Sequence, residues 1–257
     1  LLIKLFESIL MEMVLLHLPT TFIEGYVETN KLATLTSLPK NPKTIMTGTA
    51  TFTNEIFMFY TASKIEQGCK LCLICHGGGA HLYTDFVEHE LDICDRYFTW
   101  GWRHASEKCF TGFNIKMPKQ RRFSGNEESL LMILTEKQVN IEFLESVPSY
   151  GQFKTNYIDD QIKFINNLDQ NIASKLKVRI AENYDSFIKL AIESHFPSLA
   201  FIYRGEKLQP YINESRISVI TYNETSIVES LAENRPTVVF FRSDHFEMTK
   251  VSSEIYD

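Results

Sequence analysis

Thr221-Tyr222-Asn223-Glu224-Thr225-Ser226 places several side-chain donors at a single turn. The turn follows an apolar strand ending at Val219-Ile220 and precedes a short helix in which Ile227, Val228 and Leu231 are apolar. Unpaired backbone N–H groups and the positive end of the helix dipole collect at such a helix start, which favours phosphate or another anion. Asn223, Thr225 and Ser226 would add side-chain donors to them. The same residue types are preferred as helix caps, so a plain cap is the competing reading. Asn234-Arg235-Pro236 then breaks the helix, and a second apolar strand, Thr237–Phe241, completes a strand–helix–strand unit.

Three further sets of residues have chemical potential. His76-Gly77-Gly78-Gly79 ends an apolar strand. It resembles the oxyanion loop of lipase-type hydrolases, but the Gly-x-Ser-x-Gly elbow which that chemistry needs is missing from the chain. The glycines still permit close backbone approach to a ligand and expose N–H groups as a nest, with a tight turn as the plainer alternative. Glu88-His89-Glu90, with Asp92 and Asp95, forms a dense titratable cluster. Glu88 and Asp92 are four apart and would share one helix face. Repulsion between like charges raises a carboxyl pKa and suits general acid–base work, whereas a solvated helix face needs no such role. Arg179, at the end of a strand, has the fork that suits bidentate contact with phosphate or carboxylate.

Cys69, Cys72, Cys75 and His76 mimic two metal motifs. Cys72-x-x-Cys75-His76 has the spacing of haem c attachment, and the cysteines have that of part of an iron–sulfur run. Both readings are disfavoured. The cysteines sit in an apolar strand, where residues three apart point to opposite faces. A buried small apolar role fits them better. No helical His-x-x-x-His pair or calcium loop is present, so no metal site is expected.

The elements that must position these residues alternate. Leu1–Leu18 has helical apolar spacing at Leu2, Leu5, Phe6, Ile9, Leu10, Met13 and Val14. Strands are expected at Lys43–Thr49, Lys70–Cys75 and Arg96–Trp102, with helices from Asn54 to Gln67 and over Asp85–Cys94. Gly68 stops the first of those helices. The second half has strands near Leu130–Thr135, Leu176–Ile180, Ala200–Tyr203 and Ser215–Ile220, with helices over Asn156–Leu168 and Tyr184–Ser194. Strand signals vanish over Glu107–Glu128, where the basic residues Lys116, Lys119, Arg121 and Arg122 collect around Pro118. This alternation predicts an α/β protein with parallel sheets.

The chain has 257 residues, 44% hydrophobic, enough for one large domain or two small ones. A net charge of −6 supplies no basic field for nucleic acid or anionic lipid. The first eighteen residues include Lys4, Glu7, Glu12 and His17, which fits neither a signal peptide nor a membrane span. Five cysteines without a secretory signal suggest thiols in a reducing compartment. The opening helix reads as entered partway and no closing helix precedes Asp257, so the chain reads as a fragment.

Several segments together resemble a known family. They are Leu18-Pro19-Thr20 with Phe22-x-Glu24-Gly25-Tyr26; Pro39-Lys40-Asn41-Pro42-Lys43; Glu66-Gln67-Gly68; His76-Gly77-Gly78; Glu88-His89-Glu90-Leu91; Asp95-Arg96-Tyr97-Phe98-Thr99-Trp100-Gly101-Trp102; and the turn at 221–226 with the helix after it. Their order and wording resemble the leptospiral-type transferase family encoded among surface-carbohydrate genes, from about Leu15 to Phe241. The resemblance implies two Rossmann-like domains of GT-B form facing a cleft. Residues 1–113 would form a partial acceptor-side domain, and residues 114–257 a donor-binding domain lacking its last helices. It implies transfer of a glycosyl or related group from a nucleotide-activated sugar donor to a glycan or lipid-linked acceptor in making lipopolysaccharide, capsule or similar glycans. A sugar-nucleotide epimerase and a non-catalytic sugar-nucleotide-binding remnant are the alternatives. Arg179, Tyr222, Asn223, Glu224, Thr225, Ser226 and Glu229 would hold the donor, with Glu229 on ribose hydroxyls. Gly77 and Gly78 would approach the substrate, and Glu90, Glu88 or His76 would carry the chemistry. No cofactor or bound metal is implied. The setting would be cytoplasmic, with peripheral association at the inner face of the membrane.

Overall fold

A computed structural model of the chain describes residues 2–77, 84–112, 125, 127–135, 156–180, 187–203 and 205–245. Two compact units divide the chain. One comprises Leu1–His76 with Glu88–Gly112, and the other Gly77–Val87 with Phe113–Asp257.

The first unit holds a parallel sheet of β1 (Thr44–Thr47), β2 (Lys70–Ile74), β3 (Arg96–Thr99) and β4 (Cys109–Thr111), side by side in chain order. Helices α1 (Leu2–His17) and α2 (Tyr26–Thr34) precede it. Helices α3 (Ala50–Thr53) and α4 (Glu55–Glu66) join β1 to β2, and α5 (Thr84–Ile93) joins β2 to β3. Residues Leu71, Cys72 and Leu73 are all buried, as expected of a parallel strand covered on both faces. Cys69, Cys72, Cys75 and Cys94 join that packing, and no disulfide forms among the five cysteines. Among the described residues, no three His, Cys, Asp or Glu side chains are grouped to hold a metal ion.

Local chemistry explains the boundaries. Asn54 ends α3 and starts α4, and its Oδ1 accepts from the Phe57 N–H at 2.9 Å. Substituting Asn54→Ala should therefore cost about 1 kcal/mol. Urea denaturation checks this, and an unchanged midpoint would contradict the capping role. Gly68 ends the same helical segment at φ +90°, a conformation that disfavours a side chain. Asp95 stitches β2 to β3: its carboxylate accepts from the Leu71 N–H at 2.9 Å and pairs with Lys70 Nζ at 2.8 Å. The Lys70 hydrogen bond, followed by the Leu71 one, holds its pKa below the usual carboxylate range.

Two expectations change here. Cys109–Thr111 is an edge strand, although its stretch shows no strand signal; three residues pairing with β3 are too few to display a period. The apolar stripe of α1 is exposed at Leu5, Phe6, Ile9 and Leu10. No described helix is long and apolar enough to cross a membrane.

The second unit holds a parallel sheet of β5 (Ser129–Ile133), β6 (Leu176–Arg179), β7 (Ala200–Ile202), β8 (Ser215–Ile220) and β9 (Thr237–Val239). Their order across the sheet is β7-β6-β5-β8-β9. The connecting helices are α6 (Ile158–Asn166), α7 (Gln170–Ala173), α8 (Phe187–His195), α9 (Leu208–Glu214) and α10 (Thr225–Ala232). Period-two alternation sends Leu130, Met132 and Leu134 into one core cluster with Ile158, Ile165, Ile188 and Ile192 of α6 and α8. Leu131 and Ile133 enter another with Ile212 and Ile227 of α9 and α10. The sheet is thus covered on both faces, and β5 is buried almost residue for residue. Asn234, at φ 55°, ends the α10 segment. Arg235 then turns inward to pair with Glu127 at 2.9 Å, holding the start of β9 to the approach of β5.

Candidate functional site

Strand order reverses at β5. The chain proceeds from β5 to β6 and β7 on one side, and returns to β8 and β9 on the other. In open α/β sheets ligands bind outside the carboxyl ends of the strands at such a switch point. The residues that leave those ends are Leu134 and Thr135 after β5, and the turn at 221–224 after β8.

The turn is built differently from a plain cap. Glu224 occupies the N-cap position of α10, and its side chain makes no capping bond. Tyr222 Oη and Ser226 Oγ are 2.6 Å apart and hydrogen-bond one another, so those two groups brace the turn. Burial pushes the Tyr222 phenol up to about 12 against the opposing Ser226 contact. Asn223 is 0% exposed, and neither Oδ1 nor Nδ2 has a hydrogen-bond partner among the described residues. Burying an amide in that state is costly, so the group calls for a partner. Glu224, Glu229 and Arg179 all lie close enough to Tyr222 to bias its ionisation.

Arg179 ends β6 half-buried, and it also favours the charged form of Glu206. Glu206 accepts from the Tyr211 hydroxyl and from the Tyr203 N–H. Gly77 is grouped with this second unit. A Cβ built on Gly77 would lie 3.2 Å from Thr225 Oγ1, so the glycine permits close backbone approach to the start of α10. Gly78 and the cluster Lys116–Arg122 lie outside the described residues. The structure therefore gathers Arg179, Tyr222, Asn223, Glu224, Thr225, Ser226 and Glu229 within the second unit.

The titratable cluster of the first unit separates by face. Glu88, His89 and Asp92 are exposed on α5, whereas Glu90 is 0% exposed. Burial pushes the Glu90 carboxyl up to about 7, and the nearby Tyr97 hydroxyl opposes the shift only in part. Neither Glu90 oxygen makes a hydrogen bond of ordinary geometry among the described residues. The expectation of a pKa raised by like charges on a shared face is corrected: desolvation raises it, at the residue facing away from that pair. Asp95 serves the strand junction described above. His76 is half-buried, with its ring 6.5 Å from that of Phe52.

Sequence reasoning missed Tyr157 and reads Thr221 only as the first residue of the turn; their hydroxyls are 2.5 Å apart at the ends of β5 and β8. They lie 64 residues apart. Nothing in local spacing points from one to the other.

Comparison with known proteins supplies the wider setting. A family model described as LIC12162 family transferase matches residues 4–257. No curated protein matches the chain. MnaA of S. aureus, solved with UDP, is similar at 10% identity and a TM-score of 0.51, over 91% of this chain and 65% of that one. A TarM mutant of S. aureus, solved with Fondaparinux, alpha-GlcNAc-glycerol and UDP, is similar at 11% identity and a TM-score of 0.44, over 71% and 39% of the two chains. The chain thus spans less than two thirds of the length of either protein. The likeness to MnaA shows the fold: α/β, with two Rossmann-like units of GT-B type.

Proposed function

Because the chain belongs to the LIC12162 family of transferases, we propose that it acts on a nucleotide-activated sugar held at the carboxyl ends of β5 and β8. The observation that carries this reading is the buried, unpartnered Asn223 amide beside an α10 start that has no side-chain cap. A nucleotide diphosphate supplies what that arrangement lacks, namely negative charge and several acceptor oxygens. The first-turn N–H groups and the helix dipole of α10 would meet it, with Asn223 Nδ2 and Thr225 adding donors. Arg179 would add positive charge, and Glu229 would accept from ribose hydroxyls.

Two chemistries fit such a site. In the first, a glycosyl or related group passes to an acceptor glycan of the bacterial surface; the family description supports a transfer reaction. In the second, the sugar is epimerised on its nucleotide with no acceptor, and the likeness to MnaA solved with UDP fits this chemistry as well as the first. For proton transfer, His76 and Glu88 are the favoured groups, because both have accessible surface. Glu90 is assigned a supporting place, since its carboxyl is buried within the first unit beside Tyr97. A setting at the cytoplasmic face of the membrane belongs to the same proposal.

A donor screen tests the reading. The purified protein is titrated calorimetrically with UDP-, CDP- and CMP-sugars, then assayed for turnover with and without glycan acceptors. Turnover without an acceptor selects epimerisation, and turnover only with one selects transfer. Binding without any product reduces the protein to a sugar-nucleotide-binding module. Failure to bind any of them overturns the proposal.

A further inference from the structure

The carboxyl ends of β5 and β8 are joined by a closed relay of hydrogen bonds. The Thr135 N–H donates to Tyr157 Oη at 3.0 Å. Tyr157 Oη and Thr221 Oγ1 are 2.5 Å apart. Thr221 Oγ1 donates to the Ile133 carbonyl at 3.1 Å, and the Thr221 N–H reaches the same carbonyl at 3.2 Å. Proton bookkeeping fixes the direction. Thr221 spends its only hydroxyl hydrogen on Ile133, so Tyr157 must donate to Thr221 and accept from Thr135. The relay starts and ends on the exit of β5, passing through one side chain at the head of α6 and one on the exit of β8.

Its placement gives it a task beyond packing. The Tyr157 ring is 2% exposed and already belongs to the core cluster beneath α6 and α8, a place phenylalanine would fill equally well. Only its hydroxyl reaches the strand ends. These two strands lie on either side of the point where the sheet order reverses. Thr221 immediately precedes Tyr222 and Asn223, so fixing Thr221 fixes the origin of the turn that leads to α10. Both hydroxyls are occupied by one another and by backbone, which suits them to hold the turn rather than to touch a ligand.

We propose that Tyr157 and Thr221 are positioning residues for the nucleotide site, locking the 221–226 turn so that Asn223 and the start of α10 meet the diphosphate. This rests on the reading under Proposed function. Preorganised donors bind more tightly than donors that must first be ordered, so loosening the relay should weaken nucleotide binding more than it weakens the fold.

The test is calorimetric titration of the purified protein with UDP, alongside thermal unfolding. Tyr157→Phe and Thr221→Val are each expected to lower UDP affinity about tenfold or more, while unfolding shifts by a few degrees. Thr221→Ser keeps the hydroxyl and should bind UDP like the parent protein. The double variant Tyr157→Phe/Thr221→Val should bind no worse than either single one, because one relay is lost in all three. Tyr157→Phe binding UDP like the parent protein would overturn the positioning role and leave the functional reading standing. If Tyr157→Phe does not fold, the Thr221 pair decides: equal UDP affinity for Thr221→Ser and Thr221→Val overturns the proposal. A parent protein that binds no UDP or other nucleotide diphosphate overturns the functional reading, and this inference falls with it.

Discussion

At and above pH 7 the protein is expected to be roughly 3 kcal/mol less stable than a Glu90→Gln variant, relative to their difference near pH 4.5. The folded-state carboxyl stands at about 7 against an ordinary value of 4.5. Between those two pH values the folded protein holds a proton that the unfolded chain has released. Stability from this group is therefore fully present below pH 4.5 and declines as pH rises through 7, the reverse of a salt-bridged carboxylate. Asp95 and Asp160, whose pKa values are lowered by Lys70 and Arg242, act in the opposite sense at lower pH. Comparison with Glu90→Gln, which keeps the shape and cannot ionise, separates the two effects. Urea denaturation of both proteins from pH 5 to pH 8 measures it. Parallel pH profiles would show that Glu90 is not desolvated in solution.

Asn223→Ala should separate binding from stability. Removing an ordinary buried hydrogen-bonding side chain destabilises a fold. Here the amide has no partner among the described residues, so its removal discards a desolvation penalty of about 1–3 kcal/mol. A small cavity offsets part of that gain. The melting temperature should therefore hold or rise, while affinity for a nucleotide diphosphate falls by roughly 10- to 100-fold, the equivalent of a lost hydrogen bond to a charged group. Differential scanning calorimetry and titration with UDP give the two readouts. A variant that melts earlier yet binds UDP normally would make Asn223 a structural residue.

Much of the architecture can be read from local signals. The run Leu130–Leu134 shows no alternation because both of its faces are covered, and a short continuous apolar run reads as a parallel strand. Asn54 and Gly68 mark helix ends because each satisfies a backbone demand that few other residues meet. Helices α2 and α9 carry no such signal. The first carries only Ala33 as a buried residue, and the second is seven residues long, so neither displays a stable apolar period. The turn at 221–226 is legible as a cluster of residue types. Its internal wiring was not, since composition cannot say that Tyr222 bonds Ser226 while Asn223 is left without a partner. Nor could sequence say which acid of the Glu88-His89-Glu90 run points inward, because helix rotation follows from packing over the whole unit. The Tyr157–Thr221 pair depends on two strand ends that meet only in the folded sheet.

The order β7-β6-β5-β8-β9 also bears on how the protein comes to exist. Ser129 and Ser215, which flank the pairing of β5 with β8, are 86 residues apart. During synthesis β5, β6 and β7 can assemble well before β8 emerges. Until then the β5 edge, with Leu131, Met132 and Ile133, has no neighbour on one side, and an unpaired apolar edge invites pairing with other chains. Contacts of such long sequence separation form slowly. Ribosome pausing before Ser215, or any cleavage that removes β8, should thus yield aggregates rather than a smaller active domain.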